Sequence, residues 1–71
     1  MNKEKSLSIK AGKNLRIIIN KNKITQEQAS NMLNIEERTL RRWLKEGINK
    51  ISTLEMICHV FNIDKIENLL R

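Results

Sequence analysis

Apolar residues recur along this chain at the spacing of one helix face, in short blocks divided by polar residues. The first block stands at i, i+4, i+7 and i+8, with Ala11, Leu15, Ile18 and Ile19. The chain contains no proline, one tryptophan and one phenylalanine. Because strands favour aromatic and β-branched residues in alternation, this composition disfavours a β-sandwich. The sequence therefore predicts an all-α protein.

Capping boxes divide the chain into predicted helices. A Ser, Thr or Asp followed three residues later by Gln or Glu occurs at Thr25, Ser52 and Asp64. Residues 1–7 are polar and Lys-rich, and we expect a mobile N-terminal arm there, with one domain at residues 8–71. Five helices are expected: 8–22, then a helix capped by Thr25 that ends near Leu33, 36–45, one capped by Ser52, and a short one capped by Asp64.

Positive charge is concentrated in the first part of the sequence. The formal net charge is +6. Residues 1–50 hold 12 Lys and Arg against 5 Asp and Glu, whereas residues 51–71 hold 2 against 3. We therefore expect residues 1–50 to meet a polyanion and residues 51–71 to serve packing or dimerisation. Charge alone is equally compatible with a role in solubility.

Several classes of function receive no support from the residue types. The chain has one cysteine and one histidine, adjacent at Cys58 and His59, whereas a structural zinc site needs about four such ligands. We expect Cys58 to be a buried thiol and His59 a surface residue, with no metal, cofactor or enzymatic activity. No apolar run approaches the roughly 20 residues that span a bilayer, and a cytoplasmic protein is expected. The Asn, Lys and Ile richness resembles AT-rich bacterial or phage coding.

Two helices separated by a short turn, the second rich in arginine, occupy the middle of the sequence. Asn34 ends the first, and asparagine tolerates the left-handed conformation that such a turn requires. In the second, Leu40, Trp43 and Leu44 predict the buried side. The basic residues fall largely on the other side, at Arg38, Arg41, Arg42 and Lys45. This is the arrangement of a helix-turn-helix, whose second helix enters the DNA major groove.

These residues resemble the lambda-repressor-like helix-turn-helix family (the Cro and xenobiotic-response-element type). The similarity lies in residues 25–35, 38–43, 52–57 and 61–70, and covers about residues 11–70. It implies a compact five-helix DNA-binding domain with Ser30 at the helix crossing and Asn34 in place of the turn glycine. It also implies a DNA-binding transcriptional regulator, most simply a repressor of the phage or mobile-element kind.

Four further positions depart from the family pattern. Ile19 and Leu44 stand where the family often has an arginine and its acidic partner, which predicts an apolar contact instead of an ion pair. Lys23 replaces a glycine before the second helix. Gly47 falls one residue later than usual, so the end of the third helix is expected to be differently placed.

The resemblance and the donor geometry of arginine assign the DNA contacts. Base-reading positions match Glu37, Arg38, Arg41 and Arg42, and arginine fits guanine O6 and N7. Glu37 either accepts from cytosine N4 or serves only as a charge at the helix start. Phosphate contacts are expected at Gln26, Lys45, Lys50, Ser52 and Thr53, with weaker candidates at Lys13 and Lys10.

The expected partner is a near-palindromic double-stranded DNA operator bound by a homodimer, since one recognition helix covers only half a site. The fifth helix and the loop before it are the expected dimer surface. An alternative is an antitoxin-like or accessory module that binds a polypeptide, which predicts an exposed apolar patch on the fourth or fifth helix. RNA binding is less favoured, because the two aromatic residues are expected to be buried rather than available for stacking.

Overall fold

Five α-helices form the regular structure of the chain in a computed structural model that describes the backbone of residues 3–71 and the side chains of residues 6–71. In chain order they are α1 Lys3–Lys21, α2 Gln26–Leu33, α3 Glu37–Glu46, α4 Ile51–Val60 and α5 Ile66–Leu70. No strand occurs among the described residues. The predicted all-α, five-helix fold is confirmed.

Every helix contributes one large, fully buried side chain to the core. These are Leu15, Leu33, Leu40, Ile57 and Leu69. Helix α1 packs on α3 and α5, α2 packs on α3 and α4, and α4 packs on α5. Burying one such side chain stabilises a fold by about 1.5–3 kcal/mol. Because the core of so short a chain is small, its stability depends on all five helices together.

The boundaries of the helix-turn-helix follow the local sequence. The Thr25 hydroxyl accepts from the Gln28 N–H at 3.0 Å, and the Thr25 N–H donates to Gln28 Oε1 at 2.8 Å, so the predicted capping box is present. Asn34 ends α2 in the left-handed conformation, at φ 57° and ψ 45°. Lys23 is also left-handed, at φ 57°, where the resembled family has glycine. A lysine in this conformation therefore strains the backbone, whereas a glycine would not.

The expected start of α1 was wrong, whereas α3 lies within one residue of its expected limits. Helix α1 begins at Lys3, so residues 3–7 of the expected arm are helical, and residues 1 and 2 lie outside the described residues. Ser8 is buried, and its carbonyl accepts from the Ile48 N–H at 2.9 Å. This tertiary contact falls at the expected first residue of α1, and the helix extends five residues before it. Helix α3 spans 37–46 rather than 36–45, with Glu36 as its N-cap.

The predicted capping boxes at Ser52 and Asp64 were also wrong. Helix α4 starts at Ile51 with Lys50 as N-cap, and α5 starts at Ile66 with Lys65 as N-cap, neither with a side-chain cap bond. Buried residues lie close to both helix starts. Ile48, just before α4, is 3% exposed and hydrogen-bonded to α1, and Leu69, within α5, is 0% exposed. Tertiary packing thus overrides the preference of Ser and Asp for the capping position.

Candidate nucleic-acid interface

A three-residue turn, 34–36, fixes the direction of α3 relative to α2. The Ile35 N–H donates to the Ser30 carbonyl at 3.0 Å, and the Asn34 N–H donates to the Asn31 carbonyl at 3.2 Å. Ala29 and Ser30 are both buried, and the Ser30 hydroxyl donates to the Glu27 carbonyl at 2.7 Å. Small side chains at the helix crossing and hydrogen bonds within the turn therefore fix the orientation of α3 relative to α2.

Helix α3 has a core face and a basic face. Leu40 and Leu44 are buried, and Trp43 is half-buried against the core. The basic side chains of the helix are exposed: Arg38, Arg41, Arg42 and Lys45. At about 100° of rotation per residue, these four lie within an arc of roughly 100° opposite the core face. The helix therefore presents a continuous cationic surface on a rigidly packed element.

Three of these cations are free to meet an external anion. Arg41, Arg42 and Lys45 make no ion pair or hydrogen bond within the described part of the chain. Arg38 differs, since its Nε lies 3.5 Å from a carboxylate oxygen of Glu36, with both side chains largely exposed. Unpaired guanidinium groups on a helix that fits the major groove are the donors that DNA binding requires.

Close backbone contacts hold the C-terminal end of α3 on α1. A Cβ at Gly12 would lie 2.6 Å from the Trp43 carbonyl oxygen, and a Cβ at Gly47 would lie 2.6 Å from the Ser8 carbonyl oxygen. Gly47 has φ 102°, a conformation that favours glycine. Its N–H donates to the Trp43 carbonyl at 2.9 Å, so the C-cap role predicted for Gly47 is confirmed. Helix α1 thereby positions α3 and the loop that follows it.

A groove of ≈ 390 Å³ lies between α3, the loop 47–50 and the start of α4. Arg42 and Lys50 line it together, and Thr53 contributes a half-buried hydroxyl. Its other lining residues are Ser8, Thr39, Trp43, Glu46, Gly47, Ile48 and Asn49. The structure thus brings a predicted base-contact residue beside two predicted phosphate-contact residues.

The predicted site residues occupy more than one surface. Glu37 is half-buried in the first turn of α3, and Gln26 is half-buried in the first turn of α2. Ser52 is exposed in the first turn of α4, whereas Lys13 is exposed on α1; none of these four lines the groove. Lys10 is likewise exposed on α1.

Thr39 and Asn49 also line the groove, although neither was among the site residues predicted from the sequence. Thr39 precedes Arg42 by three residues, a spacing that could have placed both on one helix face. Asn49 lies in a loop, where no periodicity marks a residue.

The residues outside the helix-turn-helix include the one cysteine and the one histidine of the chain. Burial and the Glu55 carboxylate raise the pKa of the Cys58 thiol, the opposite of activation as a nucleophile. Cys58 is buried and His59 is exposed, as predicted. Within residues 6–71 no three His, Cys, Asp or Glu side chains group as metal ligands. None of the described helices combines the length and hydropathy of a membrane span.

Comparison with known proteins agrees with the helix-turn-helix geometry. The model of the Cro/C1-type HTH DNA-binding domain matches residues 14–71, which include all of α2 to α5. No curated protein and no solved structure gave a match. Since the matched residues make up well over half of the chain, it belongs to the family of Cro/C1-type helix-turn-helix DNA-binding domains.

Proposed function

We propose that this protein is a sequence-specific transcriptional regulator that reads the major groove of double-stranded DNA with α3. One observation carries the proposal: α3 turns a basic face to solvent while its other face is locked into the core. A rigid helix with unpaired guanidinium groups delivers donors to base edges without a large cost of ordering the backbone.

The proposal divides the side chains by what they contact. Arg38, Arg41 and Arg42 bind base edges, and each bidentate contact with guanine is worth roughly 1–3 kcal/mol of discrimination. Glu37, at the first position of α3, is the proposed acceptor for a cytosine amino group. All four residues predicted to read bases, Glu37 and the three arginines, are therefore kept as proposed base contacts.

Contacts to phosphate fix the register of α3 in the groove. The proposed residues share polar or cationic side chains near α3, at the start of α2 or α4, or on α1: Gln26, Lys45, Lys50, Ser52, Thr53 and Lys13. Lys50 and Thr53 are supported by the groove that they share with Arg42. The first turn of α4 adds backbone N–H groups, which favour an anion.

The proposed operator is nearly palindromic and is bound by a homodimer. One α3 helix covers about half of a specific site, and half-sites are expected roughly 34 Å apart or at a multiple of that spacing. The proposed dimer surface is α5 with the loop before it. Ile63, Ile66 and Leu70 are half-buried there, so they retain apolar surface that a second copy could cover.

Repression is the mode of regulation that demands least of so small a domain, because occupying an operator excludes other proteins from it. We therefore propose a repressor of the phage or mobile-element kind, acting in the cytoplasm with the DNA. The antitoxin-like alternative predicted an apolar patch on α4 or α5. Of the exposed large apolar side chains, only Ile51 lies on α4, and one residue does not make a patch. The others lie on α1 and α2: Leu7, Ile9, Ile17 and Met32.

The test is selection of purified protein on random duplex DNA at near-physiological salt, followed by sequencing. Two related half-sites in the enriched sequences would support operator reading by a dimer, and a single half-site would support reading by a monomer. Retention without enrichment, falling steeply with salt, would contradict sequence-specific binding and would turn attention to a protein partner. Competition with duplex RNA shows whether the protein prefers DNA or RNA.

A further inference from the structure

Glu36 stands at the N-cap of α3, and its side chain does not cap the helix. The residues preferred at this position are Ser, Thr, Asp and Asn, whose short side chains bond to a backbone N–H of the first turn. The Glu36 side chain makes no such bond. Its carboxylate lies instead 3.5 Å from Nε of Arg38, two residues later. The start of α3 thus holds an acidic residue that contributes no side-chain cap.

The contact with Glu36 uses only one edge of the Arg38 guanidinium. An arginine has five N–H donors, one on Nε and four on the two terminal Nη atoms. With Nε facing Glu36, all four Nη donors remain available in one plane. The Arg38 side chain is 82% exposed, so little packing fixes its direction. Among the described residues, the Glu36 carboxylate is the one charged group that the structure places beside this guanidinium.

We propose that Glu36 is a positioning residue for DNA reading: it holds Arg38 by Nε so that the two Nη groups meet O6 and N7 of one guanine. This inference rests on the proposed function of α3 as the recognition helix. A guanidinium that is oriented before binding loses less side-chain conformational entropy when it meets the base. Glu36 thereby sets the preference for guanine at one operator position without touching that base.

The same carboxylate has the opposite effect on binding that ignores sequence. A negative charge at the start of α3 repels the DNA phosphates and reduces the general attraction of the basic face. Glu36 therefore lowers affinity for arbitrary duplex while it raises discrimination among sequences. The opposite effects on non-specific affinity and on sequence discrimination distinguish a positioning role from a simple contribution of charge.

The experiment compares Glu36→Gln with the wild-type chain in selection on random duplex DNA and in binding to one non-operator duplex. Glu55→Gln is the control, since it removes one charge from an exposed side chain of α4 that is placed in neither the DNA surface nor the dimer surface. The change is repeated in an Arg38→Ala background, which reports whether Glu36 acts through Arg38. Glu36→Ser is measured as well, because it restores a preferred cap residue.

Glu36→Gln should lower the guanine preference at one operator position by about two- to tenfold, the scale of ordering one long side chain. It should also raise affinity for the non-operator duplex, as Glu55→Gln should not. In Arg38→Ala the further change should leave the preference unaltered. Glu36→Ser should lose guanine preference while its thermal midpoint stays equal or rises, which a merely structural role would not produce.

An unchanged guanine preference in Glu36→Gln would overturn the inference and leave the proposed function intact. An equal loss in the Arg38→Ala background would also overturn it, because Glu36 would then contact the base itself. If the wild-type chain enriches no motif, the proposed function fails, and the positioning role fails with it.

Discussion

Gly12 of α1 lies against the backbone at the C-terminal end of α3, and replacing it with alanine should destabilise the protein. An added Cβ would lie 2.6 Å from the Trp43 carbonyl oxygen and 3.4 Å from the Gly47 Cα. Both neighbours are backbone atoms, so no side-chain rotation relieves the contact. The two helices must instead separate by several tenths of an ångström.

Two opposing effects determine the size of the change at Gly12. Overpacking of this kind costs about 1–3 kcal/mol, whereas alanine in a helix interior gains up to about 1 kcal/mol over glycine. We expect the steric cost to win, with a net loss of about 1–2 kcal/mol in the free energy of unfolding. For a domain of this size that lowers the thermal midpoint by roughly 4–16 °C.

Circular dichroism at 222 nm measures the midpoint, and the fluorescence of Trp43, the one tryptophan of the chain, reports on the contact itself. The control is Asn20→Ala, which raises helix propensity at an exposed position of α1. If Gly12→Ala stabilised the protein as the control should, the close approach of α1 and α3 would not be a constraint. The reasoning on how α1 positions α3 would then be refuted.

Three further substitutions and one labelling experiment test separate features of the structure and of the proposed interface. Lys23→Gly should raise the free energy of unfolding by up to about 1 kcal/mol in urea titrations, because it relieves the left-handed strain at φ 57°. Arg42→Ala should weaken operator binding by about 1–3 kcal/mol and non-operator binding much less. Lys50→Ala should weaken both alike and flatten the salt slope by about one, as titrations at several salt concentrations would reveal. Cys58 should react slowly with a thiol reagent in native protein and rapidly in urea, since burial raises its pKa and shields the sulfur.

Each of these expectations has an outcome that contradicts it. A lower stability of Lys23→Gly would mean that the side chain contributes more than its backbone strain costs. Equal effects of Arg42→Ala and Lys50→Ala on both duplexes would remove the distinction between base and phosphate contacts. Equal thiol reaction rates in native and unfolded protein would contradict the burial of Cys58.

The burial of Cys58 also fixes the sign of its pH dependence. Burial favours the neutral thiol in the folded state, so the folded pKa of Cys58 lies above its unfolded pKa. Its contribution to stability is fully present below that unfolded pKa and is lost as pH rises through the folded pKa. Comparing the free energies of unfolding of wild type and Cys58→Ala from neutral to alkaline pH isolates this contribution.

Local signals predicted the helix-turn-helix well because their partners are close in sequence. Thr25 and Gln28 form their box within one turn, and Asn34 satisfies the turn by its own backbone conformation. The face of α3 also followed from spacing alone, since Leu40 and Leu44 are buried as expected. Belonging to the family was predictable because both the spacing and the flanking helices agreed with its pattern.

Long-range contacts determined what the sequence pattern missed. The Ile48 N–H bonds to the Ser8 carbonyl 40 residues away, and this contact accompanies the early start of α1 and the start of α4 at Ile51. The Asn14 amide donates to the Leu69 carbonyl at 2.6 Å, which ties α5 to α1. No periodicity or cap preference encodes such contacts. For the same reason the groove that Arg42 shares with Lys50 was not foreseen.

The central claim is that α3 lies in the major groove of DNA, and chemical protection of a selected operator tests it most directly. Dimethyl sulfate methylates guanine N7 in the major groove and adenine N3 in the minor groove. The account predicts protection of guanine N7 in each half-site, weakened by Arg38→Ala or Arg42→Ala at separate guanines. Protection confined to adenine N3, or identical patterns with and without protein, would contradict reading of the major groove by α3.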